Sequence, residues 1–380
     1  MSATEPVFAD RHIGPRAEQA EALARDLGQP SLAALMDAVV PPALRSARPL
    51  TLPTARSESQ ALTDLAAIAG KNQVFRSYLG MGYHAAVLPP VLQRCVLENP
   101  GWYTPYTPYQ AEISQGRLEA LLAFQTLICE LTGLAVANAS LLDEATACAE
   151  AMAMAFAAAG NQQRHVFFAA RDNHPQVIEV LRTRARPLGI DLVIGDHRQF
   201  APGPTVFGGL FPYPATDGAI HDLAEPIAAC HAAGALAVVC ADPLALCLLT
   251  PPASFGADIC VGSVQRFGLP LGYGGPHAGY LATTAALTRR MPGRLVGVSK
   301  DAHGRPALRL SLQTREQHIR REKAGSNICT AQALLASLAA FYAIWHGPEG
   351  LTAIANRIHR HACVLAAGLR RLGHHTGPRR

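Results

Sequence analysis

Beyond Gly160 the chain alternates short, β-rich and largely apolar runs with stretches of helical periodicity, and this alternation limits the possible folds more than any other feature. Residues 165–169, 192–195, 205–211, 236–240 and 258–262 read as strands, and 174–184 and 223–233 read as helices between them. Strands apolar on both faces, separated by helices, predict an α/β fold with a mostly parallel sheet covered on two sides. The segments around this core read as helical. Residues 17–27 and 32–39 are broken by Gly28 and Pro30, and Ser31 is placed to cap the second helix. From 58 to 160 helical patterns dominate, most clearly over 112–131 and 143–159. Leu334, Leu338, Phe341 and Trp345 then recur at helical spacing before Gly347-Pro348 interrupts them.

This reading predicts an N-terminal helical arm over 1–57 and a large α/β domain over 58–346. Residues 347–380 would begin a C-terminal small domain left incomplete, because a closing helix with no strands to cover lacks a partner. With 49% hydrophobic and 16% charged residues, the 380-residue chain can bury a sizeable core. The net charge is +5, the only lysines are Lys71, Lys300 and Lys323, and the arginines are scattered among Ala and Leu. That dispersion argues against a nucleic-acid surface. Nine cysteines form no CxxC pair and mostly sit in apolar runs, as free thiols in a reducing compartment do. The N-terminus lacks a secretory core, and no apolar run reaches membrane-spanning length, so a cytoplasmic protein is expected.

Four segments could carry chemistry. Around Tyr103, Tyr106, Tyr109 and Gln110, two prolines stiffen a loop that either presents phenols to a cavity or simply packs. Ser140 precedes Asp143 and Glu144 at a predicted helix start. The free amides there could hold phosphate, or Ser140 could be an N-cap; two carboxylates beside them favour the cap. The glycine-rich stretch from Gly262 to His277 is neither GxGxxG opening a helix nor a P-loop, and suits a cofactor bay or a tight turn equally. Arg315, His318, Arg320, Arg321 and Lys323 form a basic run that is either a solvated face or a docking face. No nucleophile triad, metal cluster or carboxylate pair follows from spacing. His84, His174 and His277 stand isolated in the sequence.

Several long strings, in order, carry a resemblance. ADRHIGP near the start, YLGMGYH, ENPGWYTPYTPYQAEISQGRLEAL, ANASLLDEATACAEAMAMA, GYGGPHAGYLA, MPGRLVGVSKDAHGR and LQTREQHIRREKAGSNICT resemble the N-terminal half of glycine cleavage system P-proteins. An ADRHIGP opening is typical of the long fused form of that family. The resemblance implies a fold type I transferase dependent on pyridoxal phosphate, built as two homologous halves that pair and then dimerise. It implies an activity in which glycine loses CO2 and its aminomethyl group passes to the lipoyl arm of H-protein. The cofactor acts as the electron sink, and a lysine must hold it.

In the cofactor-binding half of such proteins that lysine precedes a Phe and a Pro/Gly-rich turn, and Gln265 and Arg266 occupy the matching place here. A carboxamide is not nucleophilic and a guanidinium stays protonated, so neither can hold the cofactor covalently. By the same resemblance, Ser140, His174 and Asp242 become relics of phosphate, ring-stacking and pyridine-nitrogen contacts. Leu141, Leu142 and Asp143 replace small or polar residues of the phosphate turn. The tyrosine loop would wall the partner half's glycine and lipoyl entrance, and the basic run would dock against that half. Pyridoxal phosphate would then belong to the C-terminal half. The alternatives are a non-catalytic or remnant subunit and an independent enzyme using Lys323.

Overall fold

The computed structural model describes residues 12, 14–46, 48, 50–161, 163–312, 319, 321–328 and 332–377. The chain divides into two compact units, Met1–Arg76 and Ser77–Arg380. The first contains α1 (Ala17–Asp26), α2 (Leu32–Val39) and α3 (Glu58–Ala69). Ser31 Oγ accepts the Ala34 amide at 3.1 Å, the expected cap. Ser57 and Gln60 form a reciprocal capping box at the start of α3. Helix α3 groups with this unit, whereas the sequence pattern attached it to the following domain.

The second unit holds a seven-stranded sheet in the order β1-β7-β6-β5-β4-β2-β3. The strands are β1 (Val136–Ala137), β2 (Val166–Ala170), β3 (Asp191–Gly195), β4 (Val206–Tyr213), β5 (Leu236–Ala241), β6 (Ile259–Ser263) and β7 (Gly279–Thr283). Strands β3, β2, β4, β5 and β6 run parallel. The expected five strands are all present. Strands β7 and β1, which add antiparallel pairs at one edge, were not anticipated. Strand β7 emerges from the glycine-rich stretch, whose composition hides it, and β1 is too short to show a period.

Burial explains why the four inner parallel strands, β2, β4, β5 and β6, read as apolar runs. In β5, Ala237, Val239 and Ala241 enter one core while Val238 and Cys240 enter the other. Phe168 and Ala170 of β2 likewise face the first core, and Phe167 and Ala169 the second. Each fully buried large side chain of this kind contributes about 1.5–3 kcal/mol. One face is covered by α4 (Gln115–Thr132) and the long α8 (Ala333–Arg371). The other is covered by α5 (Glu144–Ala159) and α6 (Pro175–Ala185); α7 (Ala224–Ala232) packs its Ile227 and Cys230 into the first core. Ala147, Ala151 and Ala155 are fully buried, so α5 lies against the strands on small side chains. A Cβ on Gly279 would stand 2.5 Å from the Asp143 carbonyl oxygen, which is why β7 starts with glycine.

Two further differences from the sequence reading have local causes. Residues 77–89 carry no helix, because positive φ at Gly80, Met81 and Gly82 breaks the pattern. The MPGRLVGVSKDAHGR string forms most of a hairpin, β8 (Leu295–Lys300) with β9 (Pro306–Ser311). Asp301 organises its turn by accepting the His303 and Arg305 amides. Gly347 has φ 64 and ψ 176 and divides α8 into two helical stretches at the expected interruption.

Candidate functional site

In open α/β sheets ligand sites lie beyond the carboxyl ends of the strands, and the candidate site is there. Asp242 directly follows β5. Its Oδ1 accepts the Leu244 amide at 2.9 Å, and its Oδ2 is ion-paired with the Arg266 guanidinium. Both side chains keep about a fifth of their surface exposed, at 24% and 22%. The carboxylate sought as a pyridine-nitrogen partner is therefore neutralised from within the chain.

Gln265 is buried. Its Nε2 donates to the His84 carbonyl at 2.6 Å and to the Leu269 carbonyl at 2.8 Å, while its Oε1 is buried without a partner. It thus ties residues 77–89 to the turn after β6. Further along that stretch, Gln176 Nε2 donates to the Met81 carbonyl at 2.7 Å. Gln265 acts as a structural tie and Arg266 as a counter-ion.

The histidines isolated in the sequence converge here. His174 Nδ1 lies 2.7 Å from Thr216 Oγ1, and its Nε2 is 3.9 Å from Glu144 Oε1. Burial, and then the nearby Arg266 guanidinium, holds His84 below its ordinary value; burial and then His84 do the same for His174. His277 is also lowered by burial, bonds Ser263 Oγ through Nδ1 at 3.0 Å, and keeps a buried Nε2 without a partner. Tyr83 meets His277 edge-on at 5.3 Å. A cavity of about 230 Å³ opens between Tyr83, Asp143, Glu144, Ser263 and His277. Glu144 and Ser263 lie in two of the segments the sequence singled out, the helix start and the 262–277 stretch, but neither was given a role, and His84 and His277 read as isolated. For His84 the signal was the YLGMGYH string.

The helix start decides the phosphate question. Asp143 is the N-cap of α5, accepting the Thr146 amide on Oδ1 at 2.7 Å and the Thr146 hydroxyl on Oδ2 at 2.9 Å. The capping role given to Ser140 is thus corrected. Ser140 sits three residues earlier with φ 138, and its buried Oγ has no partner. Glu144, one-fifth exposed, is pushed up to about 7 by burial, then by Asp242 and Asp143. A phosphate dianion at these amides would meet two carboxyl groups. With no amine at Gln265 or Arg266 and with Asp242 already paired, the residues present do not fit pyridoxal phosphate.

The remaining candidates lie elsewhere. Tyr103 and Tyr106 line a separate cleft of about 240 Å³ with Trp102, Arg117, Leu334 and Ser337. Arg117 clamps that loop by donating to the Tyr106 carbonyl at 2.7 Å and the Thr107 carbonyl at 3.1 Å. Tyr106 donates its hydroxyl to Gln110, and the Arg294 guanidinium lies 5.2 Å over the Tyr109 ring. Arg321 opens a short turn, Arg321–Lys323, and is exposed. Arg315, His318 and Arg320 lie outside the described residues.

A family model described as "Glycine cleavage system P-protein" matches residues 10–377. The chain is 60% identical over 367 residues to the glycine dehydrogenase (decarboxylating) of Nostoc punctiforme, covering 97% of this chain and 37% of that protein. It therefore spans less than two fifths of the length of the curated relatives it matches. The crystal structure of a glycine decarboxylase (P-protein) of the glycine cleavage system, in inhibitor-bound form, matches with a TM-score of 0.80 at 39% identity, covering 90% of this chain and 78% of that one. A sphingosine-1-phosphate lyase of Burkholderia pseudomallei matches at 14% identity with a TM-score of 0.60, covering 87% and 77% of the two chains, and shares the fold alone. The architecture is that of the fold type I pyridoxal phosphate-dependent transferases, as the sequence led us to expect.

Proposed function

Because the chain belongs to the glycine cleavage system P-protein family, we propose that it is the N-terminal part of a glycine decarboxylase and acts only with the rest of that enzyme. In the complete enzyme, glycine would lose its carboxyl group as CO2, and the aminomethyl group would pass to the lipoyl arm of H-protein. Pyridoxal phosphate would be held by the part of the protein this chain lacks.

The observation that carries this division of labour is the Arg266–Asp242 pair beside Gln265. Those three residues stand where a cofactor-binding copy needs a lysine amine and a free carboxylate. What the chain supplies instead is a stiff surface. In this reading the Tyr103, Tyr106, Tyr109 and Gln110 loop, held by Arg117, walls the entrance for glycine and the lipoyl arm. The basic segment containing Arg315, His318, Arg320, Arg321 and Lys323 docks against the cofactor-bearing part. Among the described residues no helix is long and apolar enough to cross a membrane. We place the enzyme in the cytoplasm, where its free thiols would stay reduced.

The test is reconstitution. The chain, mixed with the separately produced remainder of the enzyme, lipoylated H-protein and pyridoxal phosphate, should restore exchange between the glycine carboxyl group and bicarbonate. The chain alone with pyridoxal phosphate should yield no lysine adduct on borohydride reduction. A trapped lysine in the isolated chain, Lys323 included, would overturn the proposal. Full exchange by the remainder without this chain would instead make it a non-catalytic subunit.

A further inference from the structure

A second cluster forms at the same edge of the sheet from residues that no sequence spacing connects. Asp172 follows β2, His197 opens a short turn after β3, and His221 lies between β4 and α7. Asp172 Oδ2 stands 3.1 Å from His221 Nε2 and 3.7 Å from His197 Nδ1, and the two imidazole centroids are 4.4 Å apart. One donor atom from each residue lies within 4.8 Å of the other two. Asp172 Oδ1 is buried and has no hydrogen-bond partner. A carboxylate with an unused buried oxygen between two imidazoles is costly as it stands, since that oxygen has left water with nothing in exchange.

We propose that Asp172, His197 and His221 bind a divalent transition metal ion, zinc by preference, with water as the remaining ligand. Zinc takes nitrogen and carboxylate ligands at about 2.0–2.2 Å, which places neighbouring ligand atoms of a tetrahedron about 3.3–3.5 Å apart. The two measured separations from Asp172 Oδ2 bracket that spacing. Two imidazoles and one carboxylate suit zinc better than calcium or magnesium, which want oxygen-rich shells, and the absence of thiolate from the set disfavours softer ions.

The surroundings support ligation. Arg171 and Arg198, each next in sequence to one of the three, are both directed at Asp196, Arg198 by hydrogen bonds at 2.9 and 2.8 Å and Arg171 by an ion pair at 3.4 Å. His221, a quarter exposed, leaves a route for the ion. The bound ion would fasten the ends of β2, β3 and β4 together. It would also fix the backbone that orients His174, because the Thr216 amide donates to the Asp172 carbonyl at 2.9 Å and the Thr216 hydroxyl bonds the His174 ring. This proposal does not depend on the decarboxylase reading.

The experiment uses the full chain carrying His359→Ala and Cys363→Ala, since those exposed side chains on α8 approach to 3.6 Å and could bind metal adventitiously. After removal of metal by chelation, zinc binding is followed by calorimetry and cobalt binding by visible absorption. One equivalent should bind, cobalt should give the intense bands of a tetrahedral site, and zinc should raise the melting temperature. His197→Ala, His221→Gln and Asp172→Asn should each weaken binding by at least about 100-fold and abolish the thermal shift. The metal-free melting temperatures show which variants still fold, and any one folded variant suffices. No stoichiometric binding to the parent, or binding unchanged in any of the three variants that still folds, would overturn the proposal.

Discussion

The Arg266 guanidinium lies against the Asp242 carboxylate, so one side chain from the turn after β6 neutralises the acid that ends β5. The pair is partly buried, and removing one member strands the other. Arg266→Ala should destabilise the chain by about 1–3 kcal/mol in chemical denaturation, between the values typical of exposed and fully buried pairs. Adding Asp242→Asn to Arg266→Ala should recover much of that loss, giving a clear coupling energy in a double-mutant cycle.

Glu144 predicts a pH dependence. Its folded-state value of about 7 lies above the ordinary 4.5, so the folded protein binds more protons than the unfolded chain between those values. Its contribution to stability is therefore fully present at low pH and is lost as pH rises from about 4.5 through about 7. His84, His174 and His277 are lowered and act in the opposite sense, adding stability as pH rises toward their ordinary 6.5. The difference between wild type and Glu144→Gln isolates the carboxyl: the variant should gain relative stability above pH 7. An unchanged difference from pH 5 to pH 8 would contradict the assignment.

Gly268 should not tolerate a side chain. Its φ is +77, and an added Cβ would fall 2.4 Å from the ring of Tyr342, which is itself stacked on Phe267 in the core. Gly268→Ala combines left-handed strain with overpacking and should cost about 2–4 kcal/mol, read from the denaturation midpoint.

Thiol reactivity should split by position. Cys95 and Cys363 are exposed, whereas Cys148, Cys230, Cys240 and Cys260 are buried and their thiols are pushed up, Cys230 and Cys260 to about 12. A thiol reagent followed by peptide mapping should label the first two rapidly in the native chain, and the other four only after denaturation.

The tyrosine loop gives a kinetic prediction. Tyr106→Phe removes the hydroxyl that donates to Gln110, and Tyr109→Phe removes the second phenol of the loop. In the reconstituted system the double variant should lower the exchange rate or raise the glycine KM by up to about tenfold, the value of one lost hydrogen bond. No change in either would remove the loop from the entrance.

The five parallel strands were legible in the sequence: the four inner ones because a strand buried on both faces is apolar along its length, as β5 is from Ala237 to Ala241, and the edge strand β3 by its Leu192-Val193-Ile194 run. The sequence by itself also determined that Gln265 and Arg266 cannot do a lysine's chemistry, since that follows from functional groups alone. What Arg266 does instead was decided by tertiary structure, because Asp242 comes from a different strand and only the parallel pairing of β5 with β6 brings the two together. The same holds for Asp143 displacing Ser140 as the cap, for the convergence of His84, His174 and His277, and for the meeting of Asp172, His197 and His221. Those groups sit on separate loops whose spacing along the chain is set by the lengths of intervening helices and strands. Their proximity is a property of the sheet's strand order, which local periodicity does not encode.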